Sequence, residues 1–299
     1  MIRSKFMGKA VIWGTALSAG LILFSIAFML TIIFREGMGH ITWEFLTTPP
    51  SNGMSGGGIF PAIVGTFIMV VLMSVVGVPV GTITAIYLTQ YARQNSLFAK
   101  WIRFAVNTLA GVPAIVFGLF GLGFFVQFVG RGMDQLGGGE ATVWGQPNLL
   151  WASLTMALLT LPVVIVSVEE AIHAVPRELS EASLALGATR WQTIWKVVIP
   201  NSSSGIMTGA ILAVSRGAGE VAPILFTGVA YFLPHLPQSF SDQFMHLGYH
   251  LYVLTTQSAD VEATTGIQYA TTLVLLIMTF ALNFSATLLR QYIRNRTRN

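Results

Sequence analysis

The sequence has no cysteine, and only 9% of its 299 residues are charged. The first lack excludes disulfides, thiolate catalysis and cysteine metal sites, and leaves the redox compartment open. The second, set against 54% hydrophobic residues, excludes an ordinary water-soluble core and makes this an integral membrane protein. No G-x-x-x-x-G-K-[ST] sequence occurs, so the chain carries no P-loop nucleotide site. There is also no basic stripe. The net charge of +4 lies in short patches beside apolar segments, which excludes a nucleic-acid footprint and points to membrane topology instead.

What is present is a series of apolar runs. The first, residues 11–34, follows Arg3, Lys5 and Lys9. It is longer than the apolar region of a signal peptide, and Arg35-Glu36 is no small-residue cleavage site, so it reads as a retained N-terminal helix. Residues 35–58 are polar. Thr48-Pro49-Pro50 and Gly56-Gly57-Gly58 predict an extramembrane loop, with the triplet as a flexible connector. Further spans are expected at 60–88 (interrupted by Gly77, Pro79 and Gly81), 104–129 (with Gly111 and Pro113), 149–168, 205–232 and 270–289. The expected fold is all-α, six transmembrane helices in a single domain over 1–299, with its core at about 59–290.

Lys and Arg concentrate on the cytoplasmic side of a membrane. The N-terminus and the loops 90–103 and 169–204 hold three each and the C-terminus four, whereas the alternate loops hold only Arg35 and Arg131. Loop 130–148 pairs Arg131 with Asp134 and Glu140; loop 233–268 has no Lys or Arg and carries Asp242, Asp260 and Glu262. Both termini are therefore expected in the cytoplasm of a multi-pass protein.

One cytoplasmic connection is long and has a helical grammar of its own. Pro176 suits a first helical turn, Glu178 and Glu181 favour its positive end, and Gly187 suits the left-handed residue that closes it. Thr189 caps a second helix expected to end at Pro200, with Trp191, Ile194, Trp195 and Val198 on one apolar face at the membrane interface. Ala182, Ser183 and Ala185 are small, so a partner can approach the first helix while Glu181 and Arg190 offer charged contacts.

The fifth span carries Arg216 and Glu220. If it enters at Gly205, Arg216 lies about 16 Å along, near the bilayer centre. A charged residue there costs roughly 2.5–3.5 kcal/mol on insertion scales, so both side chains belong against protein or a water-filled path. At i,i+4 they share a face and can pair. Gly217 and Gly219 lack bulk and Pro223 cannot donate to Gly219, so a helix break baring backbone groups is expected beside the pair. Arg216 is the candidate oxyanion contact, because a guanidinium grips such a group in bidentate fashion. Glu220 would repel an anion and is expected to restrain Arg216 or to pair with a basic residue of a partner. A structural salt bridge without solute contact is the alternative.

Two weaker signals remain. Asp242, His246 and His250 are spaced to align on a helix, although Gly248 opposes that helix and polar surface contacts explain them better than a metal. Glu169, Glu170 and His173 read as solvated charge.

The order Glu181-Ala182-Ser183, Gly187, then Val197-Val198-Ile199-Pro200 resembles the EAA loop of ABC importer permeases, with Ser183 in place of an alanine. Residues 215–228, Thr48-Pro49-Pro50 with the glycine triplet, Ala85-Ile86-Tyr87-Leu88 and residues 204–209 resemble the phosphate permeases of the PstA type. The likeness covers most of the chain from about Thr47 and is weakest at the N-terminus and in 233–268. It implies a non-catalytic subunit in a bacterial inner membrane that moves inorganic phosphate by alternating access. Its implied partners are a PstC-like permease in a heterodimer, a homodimeric PstB-like ATPase that holds ATP and Mg, and a PstS-like phosphate-binding protein. The loop would seat in the ATPase through Glu181, Ala182, Ser183, Gly187, Arg190 and Pro200, and this chain would bind no cofactor. The rival readings are a sulfate or molybdate importer, an ion-coupled secondary transporter, and a phosphate-sensing scaffold.

Overall fold

The computed structural model describes every residue except 1, 52, 53, 55, 94, 95, 138–141, 259, 260 and 299, and no side chain of residues 2–7, 10, 261, 263, 293, 294 and 296–298. Glu140 and Asp260 therefore lie outside the described residues. In chain order the helices are α1 (Ile2–Met38), α2 (Trp43–Thr47), α3 (Phe60–Ile86), α4 (Leu97–Ala110), α5 (Ala114–Gly121), α6 (Arg131–Leu136), α7 (Leu149–His173), α8 (Arg177–Ala185), α9 (Arg190–Thr193), α10 (Ile199–Gly219), α11 (Leu247–Thr256) and α12 (Val261–Arg298). Six stretches are long and apolar enough to cross a membrane: Val11–Met38, Phe60–Tyr91, Ala114–Leu136, Leu149–His173, Arg190–Gly219 and Thr264–Tyr292. The all-α expectation holds. Apart from the helices, the described residues contain one two-stranded ribbon, β1 (Pro50–Ser51) with β2 (Gly56–Gly57).

α7 is the hub. Met156, Ala157, Val164 and Val168 are almost fully buried along it among residues of α3 and α10, while Trp151 turns the other way and stacks on Phe125. Helices can only cross this closely where side chains are small or interlock. Gly81 of α3 meets Val164, and Ala157 packs in van der Waals range of Gly77. α1 stands apart, its apolar side chains exposed, and meets α12 near its own end, where Gly37 abuts the Tyr269 carbonyl. A second seam joins α10 to α12. Asn283 Nδ2 donates to Ser215 Oγ at 3.2 Å and Arg290 Nη1 to Thr208 Oγ1 at 3.1 Å. A step of two turns up α10 matches the same step down α12, as antiparallel helices require.

Four expectations about span limits are corrected. Residues 104–110 belong to α4, an amphipathic helix closed at Gly111, and the third span begins only at Ala114 after Pro113. Pro restricts the residue before it and lacks a donor, so the Gly111-Val112-Pro113 run stops the helix rather than bending it. Pro79, by contrast, sits inside an unbroken α3. Pro200 does not end its helix. A π-helical turn, Ile194–Val198, carries α9 into α10, and Asn201 Nδ2 and Ser202 Oγ donate to the carbonyls of Val197 and Val198. These bonds fall on the carbonyls just past that of Lys196, the i−4 acceptor that Pro200 leaves without its backbone donor. The fifth span starts at Arg190 and its helix stops at Gly219, well short of residue 232; a 3₁₀ turn, Ala222–Ile224, follows.

Residues 233–268 are not a solvated loop. Phe244, Met245, Leu247 and Leu254 are buried, and Leu247 N–H donates to the Thr66 hydroxyl of α3 at 2.9 Å. The glycine triplet is no flexible connector either. Gly57 has φ +75°, and a Cβ there would strike the Pro49 carbonyl and Ser51.

Candidate functional site

The connection after α7 folds by local rules. Pro176 is the N-cap of α8 and Glu178 lies in its first turn. At the other end Gly187 has φ +85°, so Ala188 N–H reaches Ser183 O at 3.2 Å and Gly187 N–H reaches Leu184 O at 3.0 Å, the paired bonds of a left-handed helix stop. Thr189 then caps α9 reciprocally: its hydroxyl accepts from Gln192 N–H at 3.2 Å and its N–H donates to Gln192 Oε1 at 2.9 Å. The hydroxyls of Ser183 and Thr193 bond at 2.9 Å and tie the two helices together. Glu181, Ala182, Gly187 and Arg190 are exposed, and Ser183 and Pro200 are half-buried. The expected single apolar face splits in two. Ile194 and Val198 are buried against the bundle, whereas Trp191 and Trp195 point outward, ring to ring at 5.4 Å.

A cavity of about 280 Å³ separates α8 from the bundle, bounded by Thr89, His173, Ser180, Glu181 and Val198. α8 therefore has open space between its inner face and the bundle.

The second group lies at the far end of α10. Arg216 occupies its last turn and Glu220 its C-cap, with Nε to Oε1 at 3.4 Å and side chains 40% and 31% exposed. The pair forms as the spacing implies. Among the described residues the rest of the guanidinium has no hydrogen bond or ion pair, so its outer nitrogens remain available. Arg216 lines a cavity of about 290 Å³ with Asn107, Leu159, Pro162 and Ser167. That places it level with the middle of α7, although the helix that carries it begins at Arg190.

The break beside the pair is sharper than expected. Glu220 turns to extended backbone (φ −86°, ψ 131°) and, among the described residues, its N–H makes no capping bond, which leaves the last turn of α10 uncapped close to the ion pair. Gly217 makes room for the Met73 thioether, whereas Gly219 faces open space. Pro223 is buried in the 3₁₀ turn, and its carbonyl faces Gly118 of α5. The helix that starts after Pro113 therefore packs on the turn that holds Pro223, where α10 gives way. Asn107 and Ser167 were not singled out in the sequence. An amide inside an apolar run was the available signal for the first; nothing marked the second.

The remaining candidates separate. α11 begins only at Leu247, so Asp242, His246 and His250 do not share one helical face. Asp242 accepts the N–H groups of Gln238 and Ser239, and His246 Nδ1 caps α11 by accepting from Gly248 N–H at 3.1 Å. Both histidines are buried, which depresses them to about 3 for His246 and about 4 for His250. No group of three or more metal-ligating residues occurs among the described residues. Glu169 is not solvated charge: its side chain is 14% exposed and pairs with Arg103 at 3.3 Å, and Arg103 also donates to the Leu88 carbonyl. Glu170 and His173 are exposed.

Residues 77–299 match the family model described as "Binding-protein-dependent transport system inner membrane component". The probable ABC transporter permease protein YqgI of Bacillus subtilis (strain 168) is 34% identical over 211 residues, which cover 71% of this chain and 67% of that protein. The phosphate transport system permease protein PstA of Yersinia pestis is 34% identical over 221 residues, 72% of this chain and 68% of that protein. Among solved structures, a bacterial alginate ABC transporter in complex with an alginate-bound periplasmic protein superposes with TM-score 0.67 over 98% of this chain and 96% of that one, at 16% identity, a likeness of fold alone. With its matched region running from α3 to the C-terminus, the chain belongs to the family of binding-protein-dependent transport system inner membrane components.

Proposed function

We propose that this chain is one of two permease subunits forming the membrane path of an ATP-driven importer of inorganic phosphate, and that Arg216 is its oxyanion contact. The observation that carries this reading is the half-exposed Arg216 guanidinium, level with the middle of α7 at the end of α10, engaged through Nε alone and open to a cavity. A guanidinium with free outer nitrogens matches a tetrahedral oxyanion. The resemblance to phosphate permeases such as that of Yersinia pestis supports phosphate over sulfate or molybdate.

ATP is hydrolysed on a partner ATPase dimer, and this subunit binds no nucleotide. α8 sits in the ATPase with Glu181, Ala182 and Arg190 toward it, and Gly187 and the Ser183–Thr193 bond keep α8 and α9 a rigid pair. Because α9 runs through the π-turn and Pro200 into α10, displacement of α8 reaches Arg216 along one continuous helix. Glu220 holds Arg216 in one state and releases it in the other. The partner permease covers the open face of the ion pair, and an extracytoplasmic binding protein delivers the ion. Both termini and the α8–α9 connection lie in the cytoplasm, on the side where thirteen of the sixteen Lys and Arg fall.

The test is uptake of labelled phosphate or sulfate into proteoliposomes holding the chain with its partner permease, ATPase and binding protein. ATP-dependent phosphate uptake, with sulfate excluded, is expected. Uptake driven by an ion gradient without the ATPase overturns the class, and preference for sulfate overturns the substrate.

A further inference from the structure

Four cations and a histidine converge at the end of the bundle that carries α8. Arg93 follows α3, Lys100 and Arg103 lie on α4, His173 ends α7 and Arg177 starts α8, and together they line a cavity of about 340 Å³. Two acidic residues face them: Glu169, which is committed to Arg103, and Glu181, which lines the adjoining cavity with His173 and Arg177; Glu170 is exposed on the same turn of α7 as Glu169. Arg93, Lys100 and Arg177 have no ion pair among the described residues, so the pocket holds a surplus of positive charge.

Next to it, α4 presents an apolar strip to the outside. Leu97, Trp101 and Phe104 are exposed and, with the stem of Lys100, line an apolar groove of about 260 Å³. Lys100 belongs to both cavities, its stem in the apolar one and its position in the cationic one. A free anion would use the cations and leave the groove empty. A lipid uses both: phosphate in the pocket, acyl chain along α4.

We infer that this is a binding site for an anionic phospholipid, with the headgroup phosphate held by Arg93, Lys100 and Arg177 and one acyl chain against Leu97, Trp101 and Phe104. The occupied site joins the end of α3, α4, α7 and the first residue of α8, so the bound lipid fixes the root of the α8–α9 connection. The inference rests on charge and shape alone and stands whichever solute the bundle moves.

Trp101 lies in the groove and reports on it. The full chain is placed in phosphatidylcholine nanodiscs containing graded amounts of bromine-labelled phosphatidylglycerol or bromine-labelled phosphatidylcholine, and the Trp101 signal is isolated as the difference from Trp101→Phe. Labelled phosphatidylglycerol is expected to half-quench at about tenfold lower mole fraction than labelled phosphatidylcholine. An Arg93→Gln, Lys100→Gln, Arg177→Gln protein loses that preference, and an Arg93→Lys, Arg177→Lys protein keeps it. Equal quenching by the two lipids in the parent protein overturns the site without need of any variant, as does a preference that survives the triple change. Equal quenching by the two lipids, together with binding of labelled inorganic phosphate that the triple change abolishes, overturns the lipid assignment and makes the pocket a free-anion site.

Discussion

The hydroxyls of Ser183 and Thr193 lie 2.9 Å apart and join α8 to the foot of the helix that carries Arg216. Where the resembled loop pattern has alanine, this chain has a serine with a partner. Ser183→Ala is expected to cost about 0.5–1.5 kcal/mol of local stability. Amide hydrogen exchange should accelerate over α8 and α9, and fewer ions should be moved per ATP hydrolysed. Unchanged exchange would show that the bond does not couple the two helices.

Gly187 gives a second handle on the same joint. Its φ of +85° is a conformation that an L side chain adopts with strain, and nothing lies within 4 Å of an added Cβ, so Gly187→Ala isolates the backbone effect. It should loosen the α8–α9 connection by about 1 kcal/mol, seen as weaker binding of the ATPase in a pull-down titration, with the transmembrane fold intact by circular dichroism.

Glu220→Gln removes the charge that holds Arg216 and leaves the shape. With its guanidinium released, the phosphate site should bind several-fold tighter and turn over more slowly, so KM and kcat of uptake fall together. A change in neither would make the ion pair a structural one.

His246 and His250 predict a pH dependence. Each is buried with a ring nitrogen that has no partner among the described residues, and each is depressed, from 6.5 to about 3 and about 4. The unfolded segment therefore binds more protons at intermediate pH. Stability is complete above about pH 6.5 and falls as pH drops toward 4, by at most about 1.4 kcal/mol per pH unit for each histidine. Thermal unfolding in detergent, scanned over that range, should show the decline, and His250→Phe should flatten it.

The six spans and the helix ends at Pro176, Gly187 and Thr189 were legible because each depends on a few neighbouring residues: a run of apolar side chains, a missing donor, a left-handed glycine, a capping hydroxyl. What was not legible depended on distant partners. Leu247 finds its acceptor at Thr66, 181 residues away, so residues 233–268 read as an uncharged loop. Trp191 and Ile194 share a composition but not a neighbour, and only the packed bundle sends one outward and the other in. The i,i+4 spacing implied the Arg216–Glu220 pair, yet Asn107 and Ser167 join Arg216 only because α4, α7 and α10 meet at one level.

The central claim is that Arg216 grips the transported oxyanion. Arg216→Lys keeps the charge and discards the planar fork, so it separates gripping from pairing. In the proteoliposome assay, an Arg216→Lys complex that assembles normally and hydrolyses ATP should take up phosphate at least about tenfold more slowly than the parent. Phosphate uptake at the parental rate would contradict the account and leave Arg216 as a latch for Glu220.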